Sequence, residues 1–269
     1  MIKLLALDLD DTCLDRRNQI SVNTMSALKE AFKRGVEIVF VTGRAYSVLP
    51  FQLGQEHFYR YVITSNGARI MDTQSNESLF CSQIDAETAL SLLDAAKQYR
   101  LGLTAHIDNE YVIEGRFLYE LGSIIYGKDS QKAIRVKNIR EYVHNKGCDV
   151  EEIHLFFFTG TEKRGAEELI MEYPHLNGPL GPFYVEFVSK QTSKGAALEW
   201  LYSKLGLEKS EVACVGDGEN DMTMFEKCGK RFAMGNANTS LKMIADEVVP
   251  SNDEDGVACA VDQILAKRL

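Results

Sequence analysis

The sequence is poor in the features that mark several classes of protein. It has only 5 Pro among 269 residues, and it has neither a repeat nor a low-complexity tract, so collagenous and disordered classes are excluded. Hydrophobic residues make up 45% and charged residues 26%, a composition that supports a sizeable folded core. At roughly 150 residues per domain the length corresponds to about 1.8 domains. One large domain and a core with an insertion both stay open.

Cysteine is too scattered for a disulfide framework or a structural zinc site. None of the 6 Cys forms a C-x-x-C pair, and no His stands at zinc-ligand spacing from one of them. We therefore expect reduced thiols in a reducing compartment. The apolar run of residues 1–7 ends at an acidic cluster and is too short for a signal peptide or a membrane span. These features predict a cytoplasmic protein without a membrane partner.

Basic charge is in deficit. Lys and Arg number 30 against 39 Asp and Glu, which gives a formal net charge of −9. A field of this sign repels polyanions, so neither nucleic acid nor anionic lipid is an expected partner.

Strand-like and helix-like segments alternate at both ends of the chain. Residues 3–9, 36–41 and 61–64 have the apolar, β-branched character of strands, and helix-like segments begin near residues 21 and 45. The same alternation returns after about residue 190. This pattern predicts an α/β fold with a Rossmann-like parallel sheet that both ends of the chain share.

The pattern of the chain changes between these two ends. A helix-like segment beginning at Asp85 is followed by strand-like residues 153–158 and 183–188. We therefore predict an inserted α+β domain over 82–188 and a core formed by 1–81 and 189–269.

Carboxylates follow two predicted strands at the point where each strand ends. Asp8 and Asp10 follow the first strand, and Asp217 and Asp221 follow the strand near 211–215. In an extended segment Asp8 and Asp10 can point the same way, so one could bind a hard divalent ion while acting as a nucleophile and the other could move protons. The alternative for each group is a solvated turn that caps a helix. The two groups converge only if their strands are neighbours.

Other polar residues stand where strands are predicted to end or helices to begin. Thr42 and Gly43 end the second strand, where a hydroxyl, backbone N–H groups and a helix dipole can hold phosphate, although Thr42 is also an ordinary helix cap. Lys194 begins a helix, where the macrodipole disfavours a cation. A nearby phosphate or carboxylate cluster would explain it, and an exposed lysine is the alternative. The segment 65–67 either lines the site or only reverses the chain.

Taken in order, D-x-D-x-T, T-G-R, an isolated Lys at a helix start and G-D-G-x-N-D resemble the haloacid dehalogenase superfamily of phosphohydrolases. Segments such as Ser65-Asn66-Gly67-Ala68 are similar to its Cof-type sugar-phosphatase branch. The resemblance covers nearly the whole chain and implies that 82–188 is an α/β cap that sets substrate specificity. Asp11 departs from the branch, since Gly is usual there, and it adds negative charge beside the site. Polar candidates for substrate contact in the cap are Arg116, His154 and Tyr184, each equally compatible with ordinary surface or core.

The resemblance also implies roles for individual residues. Asp8 would attack phosphorus to form an aspartyl-phosphate, and Asp10 would protonate the leaving oxygen and later activate water. Mg²⁺ would be held by Asp8, the backbone carbonyl of Asp10 and Asp217, while Asp221 would support the metal shell or Lys194. Phosphate-binding residues would come from all four segments: Leu9, Thr42, Gly43, Lys194 and Asn220.

The function implied by this resemblance is a Mg²⁺-dependent phosphatase acting on small phosphorylated metabolites such as sugar phosphates. Two alternatives stay open. One is a phosphosugar mutase or phosphotransferase of the same superfamily, and the other is a non-enzymatic, phosphate-responsive binding module. The physiological substrate and the oligomeric state cannot be inferred from the sequence.

Overall fold

The computed structural model describes residues 1–267 and divides into two compact units. The core unit comprises Met1–Gly43, Gln52–Phe80 and Ser193–Leu269, and the inserted unit comprises Arg44–Phe51 and Cys81–Thr192. The chain therefore passes into the inserted unit near the predicted boundary at 81 and returns a few residues after 188. The short segment Arg44–Phe51, which was predicted as core, groups with the inserted unit.

The strands of both units are, in chain order, β1 (Leu4–Leu7), β2 (Glu37–Val41), β3 (Tyr61–Thr64), β4 (Arg69–Asp72), β5 (Glu77–Cys81), β6 (Gly102–Ile107), β7 (Glu110–Glu114), β8 (Ile134–Val136), β9 (Glu152–Phe156), β10 (Leu176–Asn177), β11 (Tyr184–Ser189), β12 (Val212–Gly216), β13 (Lys230–Ala233) and β14 (Glu247–Val248). The helices are α1 (Val22–Lys33), α2 (Ala86–Ala96), α3 (Arg116–Tyr126), α4 (Ile139–Lys146), α5 (Gly160–Glu172), α6 (Lys194–Lys204), α7 (Met222–Lys227), α8 (Thr239–Ile244) and α9 (Gly256–Ala266). None of these helices has the length and apolar character that a bilayer span requires.

The core unit is built on an eight-stranded sheet in the order β14-β13-β12-β1-β2-β3-β4-β5. The strand pairs from β14 to β3 are parallel, and β3 pairs with β4 in the antiparallel sense. β1 is buried at all four positions, as expected for a strand covered on both faces. The predicted α/β class with a mostly parallel core sheet is confirmed. β1 and β12 are direct neighbours, so the carboxylates that follow them leave the sheet side by side.

Helix boundaries follow local capping signals where these are strong. α1 begins after Ser21, whose side chain accepts a hydrogen bond from the N–H of Thr24, and it is followed by Gly35 at φ +77°. The helix predicted near residue 45 is wrong: the chain makes only a 3₁₀ turn at Tyr46–Val48. The backbone of this turn bonds within the inserted unit, where the N–H of Ser47 donates to the carbonyl of Asn109 (2.9 Å). Pro50 disfavours a helical conformation at the residue before it, and Leu49 is extended.

The inserted unit has a six-stranded sheet in the order β10-β11-β9-β6-β7-β8. Every pair is antiparallel except β7 with β8. Alternate residues of its strands, such as Leu103, Ala105, Ile153 and Leu155, lie in a hydrophobic core with the apolar faces of α2, α4 and α5. The intervening residues, which point to the opposite face, are not all apolar.

Close packing of α6 on α7 requires a glycine at the start of α6. A Cβ atom on Gly195 would lie 2.1 Å from the carbonyl oxygen of Thr223. We expect Gly195→Ala to lower the free energy of unfolding by about 1–3 kcal/mol, measured by denaturant titration, because the helices must move apart. Gly160→Ala, at the start of α5 with no atom within 4 Å of the added Cβ, is the matched control and is expected to change it by less than about 0.5 kcal/mol. Equal effects of the two substitutions would contradict this account.

Candidate active site

Two carboxylates leave the core sheet at the same edge. Asp8 directly follows β1 and Asp217 directly follows β12, and Leu7 pairs with Val215 in the register of these strands. The N–H of Asp8 donates to the carbonyl oxygen of Val215 (3.1 Å), which extends the pairing by one residue. The carboxyl edge of a parallel sheet is where open α/β folds bind ligands. The two groups of carboxylates converge only if their strands are neighbours, and β1 and β12 are neighbours.

A buried lysine joins this edge to a third carboxylate. Nζ of Lys194 donates to Oδ1 of Asp8 (2.6 Å) and to Oδ1 of Asp221 (2.8 Å). Lys194 is 1% exposed, Asp8 5% and Asp221 0%. Oδ2 of Asp221 accepts hydrogen bonds from the N–H groups of Asp217 (2.9 Å) and Gly218 (3.0 Å). Lys194 is thus a buried cation at the centre of the group, and the alternative of an exposed lysine is ruled out.

The electrostatics of this group are dominated by burial and by excess negative charge. Burial raises the pKa of Asp8 well above its usual range, the positive charge of Lys194 opposes this, and Asp221 and Asp217 add to it. Burial likewise raises the pKa of Asp217 to about 6, against the lowering effect of a hydrogen bond from Thr12. Burial alone would lower the pKa of Lys194, but the carboxylates of Asp221 and Asp8 raise it. Lys194 therefore stays charged at neutral pH.

The three carboxylates lie close enough together to share a cation. One oxygen from each of Asp8, Asp217 and Asp221 lies within 4.8 Å of the others. Three carboxylates face one ammonium, so the group has more negative charge than its own lysine can balance. Carboxylate oxygens are the ligands preferred by Mg²⁺ and Ca²⁺. The structure therefore has a possible acidic metal-binding cluster at this edge.

The loop after β1 has a conformation that explains its sequence. Asp11 has φ +56°, in the left-handed region where Gly is the default and Asp is among the residues that tolerate it best. Its carbonyl accepts a hydrogen bond from the side chain of Asn236 (2.7 Å). Oγ1 of Thr12 donates to Oδ1 of Asp217 (2.8 Å), which ties this loop to the one after β12. Asp11 thus has a backbone conformation that Gly adopts readily, and its side chain is exposed.

The segment 65–67 lines the site through Asn66. Nδ2 of Asn220 donates to Oδ1 of Asn66 (3.0 Å), and the N–H of Asn66 donates to the carbonyl of Thr42 (3.1 Å). A Cβ on Gly43 would lie 3.2 Å from Oδ1 of Asn66. Four residues from three segments of the sequence therefore meet here. The segment 65–67 does more than reverse the chain. Sequence reasoning left Asn66 without a role because its partner is 154 residues away.

The remaining candidates lie as follows. Asp10 is half-buried in the loop after β1 and is not one of the three carboxylates grouped above. Leu9 is fully buried, and because its side chain is apolar, only its backbone N–H could donate to a phosphate. Arg44 belongs to the inserted unit, where its guanidinium pairs with Asp129 (2.8 Å). Arg116 is exposed and pairs with Glu120 on its own helix, as the surface alternative predicted.

Comparison with known proteins agrees with this geometry. The sequence model of the haloacid dehalogenase-like hydrolases matches residues 5–261. The chain belongs to this family. The predicted superfamily and the predicted enzyme class, a hydrolase of the haloacid dehalogenase type, are therefore confirmed.

Relatives and solved structures match over almost the full chain. Phosphatase YwpJ of Bacillus subtilis is 29% identical and covers 98% of this chain and 100% of its own. The 5-amino-6-(5-phospho-D-ribitylamino)uracil phosphatase YwtE of Bacillus subtilis is 28% identical, with 98% and 99% covered. A haloacid dehalogenase-like hydrolase from Bacteroides thetaiotaomicron has a similar structure, with a TM-score of 0.87, 27% identity, and coverage of 98% of this chain and 100% of its own.

Removing the charge of Lys194 is expected to destabilise the core unit strongly. Lys194→Met leaves two buried carboxylates without their cation, and we expect the free energy of unfolding in EDTA to fall by about 3–5 kcal/mol. A second substitution, Asp221→Asn, should recover part of that loss. The measurement is denaturant unfolding of each variant.

Lys227→Met is the matched control for this test. Lys227 also pairs with a carboxylate, Glu199, at 2.7 Å, but both side chains are more than a third exposed. Such a surface pair contributes about 0–1 kcal/mol. If Lys194→Met cost no more than Lys227→Met, the buried triad would not be the stabilising interaction described here.

Proposed function

We propose that this protein is a cytoplasmic, Mg²⁺-dependent phosphatase that hydrolyses small phosphorylated metabolites, sugar phosphates among them, through an aspartyl-phosphate on Asp8. The observation that carries the proposal is the placement of Asp8: its buried carboxylate follows the central strand and is held by Lys194 within a group of three carboxylates. The phosphatase names of YwpJ and YwtE support the reaction class.

The donor set of the core site suits Mg²⁺. Asp8 and Asp217 would hold the ion together with the backbone carbonyl of Asp10, a set made only of oxygen atoms. When bound there, the ion would supply the positive charge that keeps the buried carboxylates ionised and neutralises the phosphoryl oxygens. Asp221 would act through its neighbours, since its oxygens already bond to Lys194 and to the N–H groups of Asp217 and Gly218.

Asp8 acts as the nucleophile in this proposal. Its hydrogen bond with Lys194 fixes the orientation of the carboxylate and favours its charged form. A carboxylate oxygen of Asp8 forms a bond to phosphorus while the bond from phosphorus to the leaving oxygen breaks. Dividing hydrolysis into two displacements lowers the barrier of each.

Asp10 moves the protons of both displacements. It lies two residues beyond Asp8, and its side chain is half-buried at the edge of the same loop. In the first displacement Asp10 gives its proton to the leaving oxygen, which departs as an alcohol. In the second, Asp10 takes a proton from water as the water oxygen bonds to phosphorus, and the bond from phosphorus to Asp8 breaks. Inorganic phosphate and free Asp8 result.

In this proposal the phosphate is bound by residues around the carboxyl edge of the core sheet that do not act as acids. The ammonium of Lys194 and the hydroxyl of Thr42 offer donors, together with the backbone N–H groups of Leu9 and Gly43. Asn220 orients the group through an amide that already bonds to Asn66. Fixed donors of this kind stabilise charge that develops on the phosphoryl oxygens in the transition state.

The nucleophile is tested by replacing Asp8. We expect the purified protein to hydrolyse p-nitrophenyl phosphate with Mg²⁺, to lose this activity in EDTA, and to regain it when Mg²⁺ is added back. Asp8→Asn should lower kcat/KM by at least about 1,000-fold, because no covalent intermediate can form. Asp94→Asn, an exposed carboxylate of the inserted unit, is the control and should keep full activity.

Equal rates in the wild type with Mg²⁺, in EDTA and in Asp8→Asn would overturn the proposal. Release of phosphate in equal amounts to the alcohol separates a phosphatase from a mutase, which returns an isomeric phosphate ester. No turnover with any phosphate ester, in the presence of phosphate binding, would favour the binding module.

The proton donor is tested by comparing two leaving groups. p-Nitrophenolate is a weak base and departs without a proton, whereas the alkoxide of a hexose 6-phosphate requires one. We therefore expect Asp10→Asn to lower kcat/KM at least about 10-fold more for the hexose phosphate than for the aryl phosphate. Equal losses for both substrates would show that Asp10 does not protonate the leaving group.

A further inference from the structure

A second group of titratable side chains lies within the inserted unit. In the sheet register His106 on β6 faces Glu152 on β9, and His154 on β9 faces Glu186 on β11. These residues alternate along their strands with the apolar residues of the hydrophobic core, so they share the opposite face of the sheet. His106, Glu152 and His154 are 3%, 0% and 9% exposed. Buried polar groups on a sheet face need a partner that balances their charge.

The distances in this group are those expected between the ligands of a shared ion. Nδ1 of His106 lies 3.2 Å from Oε2 of Glu152, and Nε2 of His154 lies 3.4 Å from Oε1 of Glu152 and 3.6 Å from Oε1 of Glu186. A charge-assisted N–H···O bond is about 2.7–2.9 Å long. By contrast, ligand atoms about 2.0–2.1 Å from a tetrahedral zinc ion lie about 3.3 Å from one another.

We propose that His106, Glu152 and His154 bind a divalent transition-metal ion of the Zn²⁺ type, with the carboxylate of Glu186 supporting the site beside His154. One nitrogen or oxygen from each of the first three lies within 4.8 Å of the others. Two imidazoles with carboxylates are a set that suits Zn²⁺, whereas Mg²⁺ prefers oxygen alone. The site is therefore distinct in chemistry from the carboxylate group of the core unit, and it does not depend on the proposed phosphatase activity.

A neighbouring hydroxyl prepares His154 for this role. Nδ1 of His154 lies 3.1 Å from Oγ1 of Thr104. When Nδ1–H donates to that oxygen, the lone pair is on Nε2, the nitrogen that faces Glu152 and Glu186. Hydrogen bonds of this kind fix the tautomer of metal-binding histidines.

A lone pair on Nε2 that faces two carboxylates requires a positive charge between them. Either a second proton or a metal ion can supply it. A divalent ion carries two positive charges, which match the two carboxylates of Glu152 and Glu186.

The ion would join three strands that are far apart in sequence. His106 and His154 are 48 residues apart along the chain, and Glu186 lies on the next strand of the sheet. A metal that binds only the folded form stabilises that form in proportion to its affinity and concentration. We therefore assign the site a structural role within the inserted unit.

The test uses Co²⁺ as a spectroscopic substitute for Zn²⁺ in the full chain, without an affinity tag. The protein is stripped with a chelator and then titrated with Co²⁺ while excess Mg²⁺ occupies sites made of oxygen atoms. We expect the strong visible absorption of four-coordinate Co²⁺, saturating at one equivalent and abolished by added Zn²⁺. We also expect Zn²⁺ to raise the thermal unfolding midpoint of the stripped protein.

Matched variants locate the ion. His154→Gln and Glu152→Gln should each abolish the absorption band and the effect of Zn²⁺ on unfolding. His144→Gln, an exposed histidine on α4, should change neither. If circular dichroism shows that the buried variants do not fold, Glu186→Gln serves instead, since that side chain is 24% exposed, and it should weaken Co²⁺ binding at least about 10-fold.

Two results would overturn the proposal. Absence of both the absorption band and the Zn²⁺ effect in the wild type would mean that the group is an internal ion pair only. Persistence of the band in folded His154→Gln, or an unchanged affinity for Co²⁺ in Glu186→Gln, would place the ion elsewhere. Neither result bears on the phosphatase, which is measured separately with Mg²⁺.

Discussion

The Lys194 ammonium between two buried carboxylates is the interaction on which the rest of the core site depends. Lys194 joins Asp8, which lies 186 residues before it in the chain, to Asp221, which lies 27 residues after it. Buried charges of this kind are costly unless each has its partner, so the fold must place all three groups with little freedom. The parallel pairing of β1 with β12 sets Asp8, and the hydrogen bonds from the loop after β12 set Asp221.

Glycines allow the backbone to approach closely enough for this arrangement. Gly195 lets α6 contact α7, and Gly67, at φ +101°, lets the turn after β3 lie against the carbonyl of Ser193. A helix that begins with Lys-Gly has poor local stability by propensity and by dipole. Tertiary contacts compensate, because Lys194 gains two carboxylate partners and Gly195 gains close packing. The two residues that weaken the start of α6 locally are therefore the two that make these tertiary contacts.

The negative charge of the chain affects how the site could bind an anionic substrate. An enzyme for anionic substrates with a formal charge of −9 and clustered carboxylates at its site would repel those substrates. A bound divalent cation reverses that local field, which makes metal dependence an expected property of the site. The inserted unit places imidazole beside carboxylate, and this different donor set points to a different ion.

Much of the fold could be predicted from local signals in the sequence, and the core site from the order of its motifs. Strand-helix alternation predicted the α/β core, whereas the grouping of Asp8, Asp217 and Lys194 followed only from the resemblance of the ordered motifs to the haloacid dehalogenase superfamily. The helix near residue 45 was predicted wrongly, since the bond of Ser47 to Asn109 is not visible locally. The role of Asn66 was left open for the same reason, and His154 was singled out without its partners His106 and Glu152. Their only local signal is polar residues at alternate positions of apolar strands, as in Glu152-Ile153-His154, and the partners lie on strands paired through the tertiary fold.

The central claim is that the Asp8 carboxylate held by Lys194 takes the phosphoryl group from the substrate. Locating that phosphoryl group on the enzyme tests this claim most directly. The enzyme is quenched with acid during turnover of a phosphate ester, reduced with borohydride, which converts an aspartyl-phosphate to homoserine, and mapped by tandem mass spectrometry. The account predicts homoserine at position 8 alone, and only when substrate is present. Homoserine at another aspartate, or turnover without modification of any aspartate, would contradict it.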